Sequence, residues 1–262
     1  MAREDPDDRL LKLETIPNFR DYGGWRAAGG VLRRGTLWRS AHHAEASASD
    51  LETVAGLGLA AIVDLRGDGE RAAQPCRRPP DFQARVVFAS GDTAGVAPHI
   101  EAAGGALDGA MAEAIMRGAY ATMPWRDALV AGLRLYFAEL AASEGPTLVH
   151  CVAGKDRTGF AVALLHRLLG VSEADAMADY LLTNDPARLE VRKAQVASAL
   201  AARYGRQVPD DALDALVGVR ADYLATAFAA IAERHGSLAA YARDVLGVGD
   251  AGRDALARRL LA

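Results

Sequence analysis

The feature that most constrains the fold is a short apolar run that leads into a glycine-containing polar segment and then into a helical pattern. The run Thr147-Leu148-Val149 predicts a buried strand, and the apolar spacing from Phe160 to Leu169 predicts a helix. Between them lies His-Cys-Val-Ala-Gly-Lys-Asp-Arg-Thr-Gly, residues 150–159. A strand that enters a tight loop at a helix N-terminus binds phosphate through backbone N–H groups and the helix dipole. The segment therefore predicts an anion site at the start of that helix.

The side chains of this segment indicate which reaction a bound phosphate group would undergo. A helix N-terminus and neighbouring cations favour the thiolate form of a cysteine, so Cys151 is predicted to be a nucleophile. Arg157 follows six positions later and can bind two equatorial phosphate oxygens with its planar fork. The Thr158 hydroxyl can donate a hydrogen bond to the sulfur and so improve it as a leaving group. Phosphoryl transfer uses all of these groups, and the remaining substrate-binding positions are then Val152, Ala153, Gly154 and Lys155.

Two other motifs share parts of this segment, and neither fits. A nucleotide-binding P-loop has Ser or Thr after its Gly-Lys pair, whereas Asp156 stands there in this chain. A zinc site needs several spaced Cys or His ligands, which the adjacent pair His150-Cys151 does not supply. We therefore predict a site that needs no metal and no cofactor.

The rest of the chain predicts an α/β domain with a central, largely parallel sheet. Residues 16–40 indicate β-structure with glycine turns, and 60–65 and 84–90 indicate two further strands. A helix is predicted to begin at Ser49, with Glu52 closing a capping box. Residues 91–110 predict a mobile loop, and the spacing of apolar residues from Trp125 to Leu140 predicts a helix.

Beyond Gly170 the pattern is entirely helical, with predicted starts at Ser172, Asp185-Pro186, Pro209-Asp210 and Ser237. These helices either pack on the sheet or cover the site. Residues 172–206 are a candidate helical lid. Since no repeat, low-complexity run or long polar linker marks a boundary, residues 1–262 are predicted to form one domain.

Composition limits the kinds of partner that the protein can bind and indicates the cellular compartment. The net charge of −4 argues against nucleic-acid binding, although a local basic site remains open. Two cysteines are too few for a disulfide framework, which favours a reducing compartment. Neither a signal peptide nor a run long enough to insert stably in a membrane is evident. We therefore predict a cytoplasmic protein, with export by a route that lacks a cleaved signal left open.

The segment 150–159 resembles the nucleophile loop of the atypical bacterial tyrosine/dual-specificity (PtpB-like) phosphatases. The similarity extends over roughly residues 15–250, because other stretches match as well. These are Asn18 to Gly24, Leu37 to Ala41, Val63 to Arg66 with Glu70-Arg71, Asp179 to Asn184, Val219 to Leu224 and His235 to Leu238.

This resemblance implies a cysteine-phosphatase fold in which Cys151 is the nucleophile and Arg157 the phosphate clamp. It implies hydrolysis of phosphotyrosine, often of phosphoserine or phosphothreonine, and in some members of phosphoinositides. A lysine in the loop accompanies the last activity, so Lys155 makes a lipid head group a candidate substrate beside a phosphorylated protein. The resemblance also favours a site-facing role for Arg20 and Asp21, which otherwise suit a surface turn, and a lid formed by helices after the nucleophile helix.

The proton donor to the leaving group is open between two carboxylates, with solvent or another residue as the third alternative. Asp156 lies within the loop, but Lys155 and Arg157 on either side favour its ionised form. Asp64 ends a buried strand, where the active sites of α/β proteins gather. Its alternative role is a structural ion pair with Arg66 or Arg71.

Two other functions compete with a phosphatase. A non-catalytic phosphate-binding module would need no nucleophile, so the presence of Cys151, Arg157 and Thr158 argues against it. A rhodanese-like sulfurtransferase is disfavoured by the Arg157-Thr158 pair.

Overall fold

The structure, a computed structural model, describes residues 9–93, 107–205 and 207–262. The strands in these ranges are β1 Arg20–Asp21, β2 Arg26–Ala27, β3 Gly30–Val31, β4 Leu37–Ser40, β5 Ala61–Asp64, β6 Arg85–Phe88 and β7 Thr147–His150. The helices are α1 Ala48–Gly56, α2 Asp68–Ala73, α3 Gly109–Thr122, α4 Asp127–Ala142, α5 Asp156–Leu168, α6 Glu173–Leu181, α7 Pro186–Tyr204, α8 Asp210–Val217, α9 Ala221–His235, α10 Leu238–Tyr241 and α11 Asp250–Leu260.

Five of the strands form the central sheet in the order β1-β4-β7-β5-β6, and β2 pairs with β3 in a separate hairpin. Only the edge strand β1 is antiparallel to its neighbour, so the predicted largely parallel sheet is confirmed. Because β7 lies between β4 and β5, its carboxyl end meets the carboxyl ends of both neighbours. The segment that follows β7 is therefore surrounded by loops from the rest of the sheet.

The strands bury both faces, as an α/β sheet requires. Val63 and Val149 belong to the larger apolar core, together with residues of α4 and α5. Ile62 and Leu148 point to the opposite face and pack with residues of α1. The period of two along each strand thus places helices on both sides of the sheet.

The start of α1 differs from the prediction. Its N-cap is Ser47 rather than Ser49, and the Ser47 hydroxyl accepts the Asp50 N–H at 3.1 Å. The Asp50 carboxylate is buried and accepts three backbone N–H groups of the N-terminal segment, which fixes where the helix begins; the donors are Glu14, Thr15 and Ile16. The predicted capping box on Ser49 was therefore wrong by two residues.

The predicted helix starts at Ser172, Pro186, Asp210 and Ser237 are confirmed to within a residue or two. The predicted loop at 91–110 falls mostly on residues 94–106, which lie outside the described residues, and Gly109 already belongs to α3. In the described ranges no single helix is long and apolar enough to cross a membrane, and only the bent pair α8 and α9 taken together has that length and composition.

Candidate active site

The strand–loop–helix prediction is realised at the centre of the sheet. Strand β7 ends at His150, Cys151 begins the loop, and α5 starts at Asp156. Gly154 has a φ of +66°, and a Cβ there would lie 2.4 Å from the carbonyl carbon of Ser40. The loop turns this tightly because that position carries no side chain. Lys155, the N-cap of α5, makes no side-chain capping bond, so its side chain does not occupy the first-turn amides.

Cys151 lines a cavity of about 290 Å³ and is only 2% exposed. The loop residues Val152, Ala153, Lys155, Asp156 and Arg157 line one side of this cavity. The apolar part of the lining comes from α3, α7, α8 and the turn after α3: Met116, Ala119, Met123, Val196, Leu200 and Leu216. The remaining lining residues are polar: Glu70, Thr93, Tyr120 and Arg126. The cavity therefore combines an apolar surface with the thiol and the charged groups of the loop.

The Arg157 guanidinium is held in one orientation. Its Nη1 and Nη2 donate to the two carboxylate oxygens of Glu70 at 2.5 and 2.8 Å, and Nη1 also donates to Thr93 Oγ1 at 2.6 Å. Burial opposes the charge on Arg157, but the bonds to Glu70 and the nearby Cys151 outweigh it and raise its pKa above the usual value. Burial likewise opposes the charge on Glu70, and Arg157 reverses this and lowers its pKa. Both groups are therefore charged at neutral pH.

The observation that decides the family is the extent of the match to known proteins. The model of the tyrosine phosphatase family matches residues 11–262. The chain belongs to the tyrosine phosphatase family.

Relatives agree with this phosphatase assignment. A Cupriavidus necator protein named "Putative tyrosine-protein phosphatase" is 38% identical over 91% of this chain and 84% of its own length. The "Triple specificity protein phosphatase PtpB" of Mycobacterium tuberculosis is 32% identical over 90% of this chain and 93% of its own. The crystal structure of P. aeruginosa TpbA covers 79% of this chain and 97% of its own at 20% identity, with a TM-score of 0.26 that supports no statement on the fold.

In this phosphatase, Asp156 faces the cavity and accepts a hydrogen bond from the Tyr120 hydroxyl at 2.8 Å. Tyr120 is in turn 2.7 Å from the hydroxyl of Tyr180. Burial, and then the Asp156 charge, raise the pKa of Tyr120 well above 10, so the phenol keeps its proton. The Tyr120 bond and the Lys155 ammonium are both on the Oδ1 side of Asp156.

Asp64, the second predicted acid, does not line the cavity that contains Cys151. It is 3% exposed, and the Arg66 guanidinium binds it in a two-nitrogen contact, Nη2–Oδ2 at 2.7 Å and Nε–Oδ1 at 3.0 Å. Burial would raise the pKa of Asp64, but His150 and Arg66 outweigh it and the pKa is lowered. Since burial lowers the pKa of His150 to about 4, that ring is neutral at pH 7, and Arg66 is the partner that keeps Asp64 ionised.

Lys155 lines the cavity, but its ammonium is bonded within the protein. Its ammonium donates to the carbonyl oxygens of Leu216 and Gly218, the latter at 3.1 Å, and lies 3.4 Å from Asp156 Oδ1. These two carbonyls are at the C-terminus of α8, where a cation is favoured by the helix dipole. Lys155 therefore ties the loop to α8.

The structure places Arg20 and Asp21 outside the cavity. Arg20 is fully buried and donates to the carbonyl oxygen of Asp179 at 3.0 Å. Asp21 instead accepts the N–H groups of Gly23 and Gly35, both at 2.7 Å, which organises the turns around β1. Their position is structural support behind the site.

The predicted hydrogen bond from Thr158 to the sulfur is not formed. The Thr158 hydroxyl is buried and has no hydrogen-bond partner within the described residues. Sequence reasoning assigned no role to Glu70, Thr93 or Tyr120, which contact the loop side chains from other elements. Glu70 could have been found from the sequence, since it falls in one of the stretches that resemble the family. Tyr120 could not, because α3 was not predicted.

Asp64, Cys76 and His150 bring potential metal ligands within 4.8 Å of one another. The Arg66 guanidinium already neutralises this group, because Nη2 donates to Asp64 at 2.7 Å and to Cys76 Sγ at 3.1 Å. A metal ion would have to displace Arg66 and then lie beside its charge, so the residues present do not fit a metal ion.

Proposed function

We propose that this phosphatase hydrolyses phosphotyrosine through a phosphocysteine formed on Cys151. The observation that carries the proposal is that the Cys151 thiol shares one partly apolar cavity with Arg157, whose guanidinium Glu70 holds in place. Positioning and charge stabilisation are the main contributions of a protein to phosphoryl transfer.

The reaction proceeds in two balanced steps. The Cys151 thiolate attacks phosphorus while the bond from phosphorus to the tyrosyl oxygen breaks, and Asp156 gives its proton to the departing phenoxide. Water then attacks the phosphocysteine, Asp156 takes a proton from that water, and inorganic phosphate and the thiolate are released. The loop N–H groups and Arg157 hold the equatorial oxygens throughout.

Turnover of para-nitrophenyl phosphate in the presence of a metal chelator tests the proposal. The wild type is expected to turn over and, after a rapid quench with substrate, to carry one added phosphoryl group by intact mass. Cys151→Ser is expected to bind phosphate but to lose both signals. A wild type that binds phosphate without turnover would instead favour a phosphate-binding module.

Asp156 is preferred to Asp64 as the proton donor because it faces the cavity and Asp64 is held by Arg66. Asp156→Asn is expected to lower kcat/KM, which reports the step that expels the leaving group, by about 10²–10⁴-fold on phenyl phosphate, since a positioned acid contributes this much. On dinitrophenyl phosphate, whose leaving group needs no proton, the loss should be far smaller. Equal losses on both substrates would contradict the assignment, and Asp64→Asn serves as the matched variant.

Among substrates, the contacts of Lys155 favour a phenol phosphate over a phosphoinositide. A lysine that binds a lipid phosphate needs its ammonium directed into the cavity. The Lys155 ammonium instead donates to carbonyl oxygens of Leu216 in α8 and of Gly218, which follows α8. The apolar part of the lining suits an aromatic ring better than a sugar.

Lys155→Met tests this choice, with activities measured on a phosphotyrosine peptide and on phosphoinositide vesicles. We expect both to fall in parallel, because the loop loses its attachment to α8. A selective loss on vesicles would show instead that Lys155 binds lipid phosphate. Lys193→Met is the matched control, since Lys193 also bonds α8, to Asp214 at 2.7 Å, but does not line the cavity.

We also propose that α7 is the part of the predicted lid, residues 172–206, that covers the site. Val196 and Leu200 of this helix line the same cavity as Cys151. The compartment is proposed to be the reducing cytoplasm, where Cys151 stays a free thiol.

A further inference from the structure

The loop must direct its N–H groups inward to hold a phosphoryl group, so its carbonyl oxygens must point outward. In the structure, three consecutive carbonyls of the loop each accept a hydrogen bond from a different donor outside it. The His42 N–H donates to Val152 O at 3.0 Å, Asn18 Nδ2 to Ala153 O at 2.7 Å and Arg39 Nη2 to Gly154 O at 3.0 Å. These donors come from two segments, the chain before β1 and the β4 strand with its following loop.

Asn18 provides the middle bond from an unusual backbone conformation. Its φ is +57°, and it is the one non-glycine residue with positive φ among the residues described. This region costs an L-residue energy, although Asn tolerates it better than most. The flanking residues Ile16 and Phe19 are buried in the smaller core, and Pro17 O accepts the Ala41 N–H at 2.9 Å. The strained residue is therefore fixed firmly enough to aim its amide at the loop.

Arg39 provides the third bond from a buried ion pair. Its Nη1 donates to Asp179 Oδ2 at 2.8 Å, and both side chains are almost wholly inaccessible to solvent. The other terminal nitrogen reaches Gly154. A carboxylate of α6 thus positions the arginine, and the arginine positions the loop.

We propose that Asn18 is a positioning residue of the phosphatase reaction, which holds the Ala153 carbonyl outward so that the loop amides are already turned to the incoming phosphoryl group. The proposal rests on the proposed function, since it assumes that the loop amides bind phosphate. It also explains why a non-glycine residue occupies a left-handed conformation directly before β1: the side-chain amide is needed there. Glycine would satisfy the backbone and lose the donor.

Asn18→Gly is therefore the informative variant, because it keeps the backbone conformation and removes only the donor. A buried carbonyl that loses its partner costs the equivalent of about 5- to 150-fold in an equilibrium constant. Because the bond from Asn18 to Ala153 is only partly buried, the lower part of this range applies, about 5- to 30-fold. We expect the dissociation constant of inorganic phosphate, measured by calorimetry, to rise by a factor in that range. The inhibition constant of orthovanadate should rise in parallel, with a smaller effect on the melting temperature. Asn18→Asp, an isosteric variant that places a carboxylate oxygen against Ala153 O, should weaken both anions further.

Tyr22→Phe is the control for a purely structural effect. It removes a buried hydrogen bond, Tyr22 to Tyr136 at 2.9 Å between hydroxyl oxygens, that does not touch the loop. It should lower the melting temperature and leave both anion constants unchanged. Unchanged anion binding in Asn18→Gly and Asn18→Asp, or equal weakening in Tyr22→Phe, would overturn the proposal. Because phosphate binding needs no turnover, the result stays separate from failure of the phosphocysteine mechanism.

Discussion

Glu70 and Arg157 form an ion pair whose geometry decides between two opposite effects of removing the carboxylate. Glu70 binds the end of the guanidinium formed by Nη1 and Nη2. A guanidinium carries five N–H donors, of which Glu70 accepts two and Thr93 a third, from Nη1. The Nε–H and the second Nη2–H point to neither of these partners. If those donors bind phosphate, Glu70 orients the arginine and its loss weakens phosphate binding. If phosphate must instead displace Glu70, its loss strengthens binding.

The geometry favours the orienting role, and the size of the effect follows from the bonds that change. Glu70→Gln keeps one carbonyl oxygen for Arg157 and replaces the second charge-assisted bond with an opposed NH₂ group. A hydrogen bond to a charged group contributes about 1.5–3 kcal/mol. Because the side chains are 11% and 25% exposed, solvent screens part of this interaction. The lower half of the range applies, about 10- to 40-fold in kcat/KM.

The assay compares kcat/KM on para-nitrophenyl phosphate and the inhibition constant of phosphate in wild type, Glu70→Gln and Asp68→Asn. Asp68 is the matched control, since it lies on the same helix and pairs with Arg71 but does not contact Arg157. Glu70 also accepts the Gly67 N–H at 2.8 Å, and Gln retains an acceptor for that bond. Tighter phosphate binding in Glu70→Gln, or equal losses in both variants, would refute the orienting role.

Three further predictions concern His150, Tyr120 and Gly154. The pKa of His150 is lowered by burial from 6.5 to about 4, so the unfolded chain takes up a proton first as pH falls. The free energy of unfolding should therefore drop from pH 7 to pH 5, with about 2 kcal/mol from this group, and His150→Gln should flatten the profile in urea titrations. Tyr120→Phe removes the hydrogen bond that orients Asp156 and should lower kcat/KM on phenyl phosphate several-fold more than on dinitrophenyl phosphate. Gly154→Ala would place a Cβ 2.4 Å from the Ser40 carbonyl carbon at a φ of +66°. We expect it to lower the melting temperature and weaken phosphate binding, measured by thermal denaturation and calorimetry.

The elements predicted correctly are those whose signal is local. Strands β5 and β7 are continuous apolar runs, and α5 begins with the same loop that carries the chemistry, so their place in a parallel sheet followed from sequence. The start of α1 was wrong because two serines could cap it. The contacts of Asp50 select Ser47. The Asp50 carboxylate accepts hydrogen bonds from backbone N–H groups that lie more than thirty positions earlier in the chain.

The site shows the same division between local and distant contacts. Cys151 and Arg157 could be assigned roles from their spacing in the loop. The partner of Lys155 could not, because the carbonyls that bind it belong to residues 216 and 218. Asp64 was a reasonable acid by its position at the end of a strand, and only the side-chain conformation of Arg66 shows that the carboxylate is occupied.

The loop therefore contains the groups that we propose to react, but the contacts that orient them come from elsewhere in the chain. Its three charged side chains and its carbonyls are bound by partners that enter from α2, α3, α8, β4 and the segment before β1. Each of these contacts is long-range in sequence. The entropic cost of ordering the loop is therefore compensated when the chain folds, and substrate binding does not have to compensate it. The same ten residues placed after a strand in another protein would retain the thiol and the arginine. They would bind phosphate more weakly, because the ligand would then have to order the loop itself.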